Sequence, residues 1–279
     1  MEIQRIAAFS MGSEGGNPAG VVLLESETST EEMAKVAAEV GYSETAFAFA
    51  KDGERKSWRV RYFSPESEVP FCGHATIALG AVLGRDSGAG TYSLTLNNAS
   101  ITVDTETTPK GIVAALSSPP TKSRSMSDAE MHDVLALFDL TVDDLDPRLA
   151  PAHIHGGSDH VVVPLKSRTR LAAMAYDLDK GRQVMRDHNL VTVMLIFIEG
   201  DQTFVARNAF ASGGVLEDPA TGAAAAAFAG YLRDCKWPHG GGFTIRQGED
   251  MGSPSLIQVS LDDTVGGSVR VSGTARDIV

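Results

Sequence analysis

Two cysteines in 279 residues, Cys72 and Cys235, are too few for a disulfide framework, and both thiols are expected to be reduced. The formal net charge is −12 with no cluster of lysine or arginine, which argues against nucleic acid or an anionic membrane surface as a partner. No apolar run approaches the ~20 residues of a membrane span, and the opening MEIQRIAAFSMG has neither the charged start nor the long apolar core of a secretion signal. A cytoplasmic protein without membrane contact is expected. No phosphate-binding glycine fingerprint follows a strand, and no pair of histidine and cysteine has zinc-ligand spacing. His153 and His155 are two apart, as in a strand, so no metal and no cofactor are expected.

Hydrophobic residues make up 43% of the chain and charged residues 22%, the proportions of a soluble globular protein. The length exceeds the ~100–150 residues of a typical single domain, so two domains are expected. Residues 70–84 read PFCGHATIALGAVLG and residues 217–234 read EDPATGAAAAAFAGYLRD. Each opens with a proline and a glycine and continues as a helix with no polar stripe, which should be buried on every side. The first turn of a helix has N–H groups without partners and the positive end of the dipole, so two such termini facing each other across a cleft would suit a small carboxylate.

The rest of the chain supplies strands around these helices. A strand near residues 3–9 precedes the turn at Asn17 and Pro18 and the apolar residues 21–24. Ser29 and Glu32 have capping-box spacing ahead of Met33, Val36, Ala37 and Val40, and Gly41 stops that helix. In GYSETAFAFA, Glu44 sits where a strand begins. Alternating residues 58–63 lead into the first buried helix, and strands at 92–96, 101–104 and 112–116 follow. Residues 117–123, SSPPTKS, read as the linker. Ser127 and Glu130 then cap a helix, strands follow at 160–165, 191–198 and 203–206, and three more follow the second buried helix. The echo of VRYF before one buried helix and VARNAF before the other points to a duplicated domain rather than a short repeat.

Three side chains stand out. Glu44 beside apolar neighbours suits a proton shuttle, taking a proton from carbon and returning it to a nearby atom of the same substrate; the alternative is a solvated glutamate at a strand end. His74, in the first turn of a buried helix, either orients a substrate oxygen, acts as a second acid or simply caps. Asp218 either binds a substrate amine or serves as an N-cap worth ~1 kcal/mol. Adjacent residues of an extended segment point to opposite sides, so Glu217 and Asp218 are not expected to pair. Cys72 lies at a helix N-terminus, which lowers a thiol's pKa, but the second helix offers no cysteine at its own start, so a two-thiol epimerase is disfavoured.

GNPAGVV at Gly16, SETAF at Ser43, PFCGHAT at Pro70, EDPATG at Glu217 and QGEDMGSPS at Gln247, in this order over nearly the whole chain, resemble the PhzF-like family of phenazine-biosynthesis proteins. The resemblance implies an α+β fold of the diaminopimelate epimerase type: two pseudo-symmetric domains, each a barrel-like, mostly antiparallel sheet around a central buried helix. The first domain would span residues 1–118, completed by a strand within 267–279, and the second residues 119–266. It also implies a cofactor-independent isomerase, usually a homodimer, acting on a small carboxylate-bearing substrate; the named example is trans-2,3-dihydro-3-hydroxyanthranilate. In that pattern Glu44 is the acid/base, with His74 and Asp218 beside it. Asn17, Gly73, Thr221 and Gly222 would bind substrate. Two positions depart from the pattern: Ala223 stands where that isomerase has a serine, and Ser253 stands where many relatives have arginine. The loss of a hydroxyl removes a hydrogen bond worth roughly 0.5–1.5 kcal/mol, so the reaction type transfers better than the substrate. Two further readings stay open, a single-carboxylate amino-acid epimerase and a catalytically silent binding protein of the same fold.

Overall fold

The structure, a computed structural model, describes residues 1–51, 54–109 and 111–278. Its elements run, in order, Gln4–Ala8 (β1), Asn17–Leu24 (β2), Thr30–Val40 (α1), Thr45–Lys51 (β3), Glu54–Phe63 (β4), Glu68–Val69 (β5) and Gly73–Ser87 (α2). Gly90–Thr95 (β6), Ser100–Thr108 (β7), Gly111–Ser117 (β8), Lys122–Ser125 (β9), Asp128–Leu137 (α3), Ala152–His155 (β10) and Asp159–Leu165 (β11) follow. Arg168–Ala172 (α4), Leu178–Asp187 (α5), Thr192–Gly200 (β12), Thr203–Ala209 (β13), Glu217–Asp218 (β14) and Gly222–Asp234 (α6) come next. Gly242–Gln247 (β15), Ser255–Ser260 (β16) and Arg270–Asp277 (β17) close the chain. The chain divides into two compact units, Met1–Ser117 with Ser272–Val279, and Ser118–Val271. Among the described residues no helix is long and apolar enough to cross a membrane.

In the first unit the pairings close on themselves. β1 pairs with β2, β2 with β3, β3 with β4, β4 with β6, β6 with β7, β7 with β8, β8 with β17 and β17 with β1. This is an eight-stranded closed barrel in a mixed α+β fold. The β2–β3 and β4–β6 pairs are parallel, each joined by a helical crossover, and β1–β2, β3–β4, β6–β7, β7–β8 and β1–β17 are antiparallel. The alternation in TAFAFA follows from what lies on each side. Phe47 and Phe49 pack with Met33 and Ala37 of α1 on one face, each burial worth about 1.5–3 kcal/mol. Ala46 and Ala48 pair with Tyr62 and Val60 on the other face, where small side chains leave room for α2. Residues 74–84 of α2 are buried without interruption, as its lack of a polar stripe predicts. A Cβ on Gly80 would lie 2.6 Å from Val103 Cγ2, so glycine is what lets α2 approach β7 and β8.

The second unit is an ordered run of pairings from β9 through β10, β11, β12, β13 and β15 to β16. β11–β12 and β13–β15 are parallel, again joined through helices. β11 and β12 read as nearly continuous apolar runs because both faces are covered. Val161, Val163, Leu165, Val193 and Leu195 pack with side chains of α3, α4 and α5, while α6 lies against β9, β10, β11 and β16. A Cβ on Gly156 would come within 2.9 Å of the Ala227 backbone nitrogen, so here too glycine permits the approach of a buried helix.

Both predicted N-caps form. Ser29 accepts from the Glu32 N–H, and Ser127 and Glu130 make a reciprocal capping box. The expected linker at 117–123 is not a free tether: β9 begins at Lys122, and the Ser118 and Thr121 N–H groups bond to the carbonyls of Val269 and Gly266. Those partners lie about 150 residues away in sequence, beyond the reach of local composition.

Candidate active site

In the first unit, the parallel ladder between β2 and β3 places Glu44. Its carbonyl accepts from the Gly20 N–H at 3.1 Å, which holds the residue at the entrance to β3. Glu44 Oε2 then lies 3.4 Å from His74 Nε2, with the two side chains 16% and 9% exposed. The Ser43 hydroxyl is also 3.4 Å from His74 Nε2, and Cys72 Sγ is 3.4 Å from His74 Nδ1. The structure therefore joins Glu44 and His74, adds Ser43, which sequence reasoning had not assigned, and places beside them Cys72, which the sequence offered only for a disfavoured thiol chemistry. Asn17 is buried at the start of β2, three positions before Gly20.

A buried hydrogen-bond chain fixes the opening of α2. Tyr62 Oη lies 2.6 Å from Thr76 Oγ1, and the Thr76 hydroxyl donates to the Cys72 carbonyl at 2.7 Å. Burial raises the Tyr62 pKa, so the phenol stays a neutral donor to the threonine oxygen. Cys72 occupies the N-cap but makes no side-chain cap, and no acidic residue lies in the first turn of α2. The Gly73, His74 and Ala75 N–H groups have no acceptor within the helix, and a Cβ on Gly73 would meet nothing within 4 Å. A helix start of this kind suits an anion.

In the second unit the same feature recurs with different side chains. Thr221, not Asp218, is the N-cap residue of α6; it too makes no side-chain cap, and no acid lies in the first turn. Asp218 sits in β14 opposite Asn208 of β13 and accepts from the Thr221 hydroxyl at 2.5 Å. Gln247, fully buried at the end of β15, donates to the Asp218 carbonyl at 2.7 Å and to Thr221 Oγ1 at 3.1 Å. Gly222 opens α6 immediately after. Glu217 turns away, bound in two places by Arg207, so the two neighbouring acids do not pair, as extended geometry requires. Asn208 lies on the β13 face that carries Phe204 against Phe228 of α6, is fully buried, and has neither amide atom bonded to a protein group. Gln247 belongs to the QGEDMGSPS segment but carries no signal of its own in the sequence; Asn208 has none either, because its pairing partner lies ten residues ahead.

His153 and His155 belong to a separate network. His153 lies between Glu130 (2.9 Å) and Asp159 (3.2 Å), and His155 lies 3.0 Å from the same Asp159. Arg124 binds Glu130 through both oxygens, and with the Ser127 N–H holds that carboxyl well below the usual range.

The sequence profile described as phenazine biosynthesis-like protein matches residues 6–278. The chain belongs to that family. An uncharacterized isomerase of Deinococcus radiodurans is 32% identical over 284 residues, covering 97% of this chain and 90% of that protein. The trans-2,3-dihydro-3-hydroxyanthranilate isomerase of Pseudomonas chlororaphis is 30% identical over 256 residues, covering 90% and 87%. Among solved structures, the PhzF-family phenazine biosynthesis protein of Bacillus anthracis superposes with a TM-score of 0.85 at 21% identity, over 100% of this chain and 98% of that one. The family member described here is an isomerase.

Proposed function

We propose that this isomerase moves a proton within a small carboxylate-bearing substrate, with Glu44 as the acid/base. The contact between Glu44 Oε2 and His74 Nε2 at 3.4 Å carries the reading. In the step proposed, the Glu44 carboxylate takes a proton from a C–H bond, the electron pair moves into the adjacent unsaturated system, and the resulting carboxyl returns the proton to a neighbouring atom. Nothing leaves and nothing is added, so substrate and product are isomers. His74 orients a substrate oxygen or the carboxylate itself. Gly73 offers backbone N–H groups to a substrate carboxylate. Asp218, fixed by Thr221 and Gln247, is an acceptor suited to a substrate ammonium, and Thr221 and Gly222 open a second uncapped helix. The common order of pairing in the units, parallel and antiparallel alternating around one buried helix, supports reading them as two copies of one design.

The dihydro-hydroxyanthranilate reaction is the first substrate to test, since a 30% identical relative bears its name. A second reading is a single-carboxylate amino-acid epimerase, in which Cys72 Sγ, beside His74 and within reach of Glu44, is a further proton carrier on the same side of the substrate as Glu44. Proton NMR in heavy water separates the two, using trans-2,3-dihydro-3-hydroxyanthranilate beside a panel of single-enantiomer amino acids. General acid–base catalysis contributes ~10²–10⁴-fold, so Glu44→Gln should lose that much. A Glu44→Gln variant with full turnover would remove the proposal; racemic product from one amino-acid enantiomer would select the epimerase.

A further inference from the structure

Among the described residues, the donor atoms of Glu44, Cys72 and His74 lie within 4.8 Å of one another. The sequence hides this set, because Cys72 and His74 are separated by one residue and Glu44 lies 28 residues upstream of the cysteine. Tetrahedral zinc takes thiolate sulfur at about 2.3 Å, imidazole nitrogen at about 2.0–2.1 Å and carboxylate oxygen at about 2.0–2.2 Å. Those bond lengths put sulfur and nitrogen about 3.5 Å apart, and nitrogen and oxygen about 3.4 Å apart. Here His74 Nε2 is 3.9 Å from Cys72 Sγ and 3.4 Å from Glu44 Oε2. Glu44 already stands at the required separation from Nε2, whereas the sulfur lies nearer Nδ1, at 3.4 Å, so an ion shared on Nε2 requires the imidazole and the thiol to turn towards each other.

We propose that this cluster is a binding site for one soft divalent cation, zinc above all. Thiolate, carboxylate and neutral imidazole together carry two negative charges, which balance the ion in a largely buried place where an uncompensated charge would be costly. A sulfur donor selects zinc and cobalt over magnesium and calcium, which take oxygen ligands. Three protein ligands leave a fourth position open. Bound zinc occupies the Glu44 carboxylate and therefore inhibits proton transfer; that consequence rests on the reading of Glu44 above, whereas the binding rests on geometry alone.

The test uses the whole chain, stripped of metal, without substrate. Zinc is titrated in competition with a chromophoric chelator, and cobalt(II) is added separately while the thiolate-to-metal charge-transfer absorption is followed. The expected result is one zinc per chain, undisturbed by excess magnesium, and a charge-transfer band with cobalt. Cys72→Ser should weaken zinc uptake at least tenfold and erase the band, while Cys235→Ser, at the exposed C-cap of α6, should change neither. No stoichiometric uptake, or uptake and band unchanged in Cys72→Ser, overturns the site. If Cys72→Ser does not fold, the other two spectra decide: a band in both the natural protein and Cys235→Ser assigns the thiolate to Cys72, and no band in either refutes it. Because uptake is read without turnover, a failure of the proton-shuttle reading leaves this result standing. Loss of deuterium exchange on adding zinc to an exchanging protein tests the inhibitory consequence separately.

Discussion

Glu217→Ala should destabilise the second unit far more than a surface substitution does. Arg207 and Glu217 have side chains only 11% and 6% exposed. Arg207 Nε donates to Glu217 at 3.0 Å, and a second guanidinium nitrogen bonds the other carboxylate oxygen. The remaining guanidinium donor reaches the carbonyls of Ala172 (2.8 Å) and Met174 (3.2 Å), so the one arginine ties β13 to β14 and to the end of α4. Removal of the carboxylate leaves a buried cation with two neutral acceptors and no counter-charge, which costs about 3–5 kcal/mol. Against a typical total of about 5–15 kcal/mol this is a large fraction, and at about 2–4 °C per kcal/mol it lowers the melting temperature by roughly 6–20 °C. Thermal and urea melts followed by circular dichroism measure it. Glu217→Gln, which keeps one acceptor, should lose less. The double variant Arg207→Met with Glu217→Leu should regain most of the loss, because it removes both desolvated charges and fills similar volume. A single-variant loss below about 1 kcal/mol would show that the pair is screened like a surface ion pair and refute the reasoning.

Two further outcomes are expected. His160, fully buried between Ser158 and Thr192, has its pKa pushed down to about 3 by desolvation. The unfolded chain therefore binds a proton below about pH 6.5 that the folded chain refuses, so stability should fall as pH drops from about 6.5 towards 3, by up to about 1.4 kcal/mol per pH unit. Melts across that range should show a shallower limb in His160→Gln; an unchanged slope would contradict the assignment. Asn208→Leu exchanges a buried amide with no protein partner for an apolar group of similar size, and should raise stability by about 1–3 kcal/mol. A loss in the urea melt would show that the amide is satisfied after all.

Patterns carried by neighbouring residues were readable in the chain. Ser29 and Ser127 cap helices as their spacing predicts, and the absence of a polar stripe in α2 and α6 announces their burial. The alternating alanine and phenylalanine of β3 record a strand with a helix on each side. Assignments that depended on distant partners were less legible. The boundary between the units falls after Ser117, within the stretch 117–123 read as the linker, but the hydrogen bonds of that stretch to Val269 and Gly266 were not legible. Asp218 looked like an N-cap because Pro219 follows it, but β14 draws it into the ladder with β13 and leaves the cap to Thr221. Residues 166–190 carried no assigned element, although Ser167 and Asp177 cap α4 and α5 there.

By itself the sequence determined the two buried helices, the caps, most strands, and the identity of Glu44, His74 and Asp218 as candidates, because each of these is set by residue type and short spacing. Only the tertiary structure decided which side chains meet: Ser43, Glu44, Cys72 and His74 at one helix start, and Asp218, Thr221 and Gln247 at the other. The physical reason is that strand register and barrel closure, not chain proximity, bring these residues together, and register is fixed by the pairing of strands far apart in the sequence.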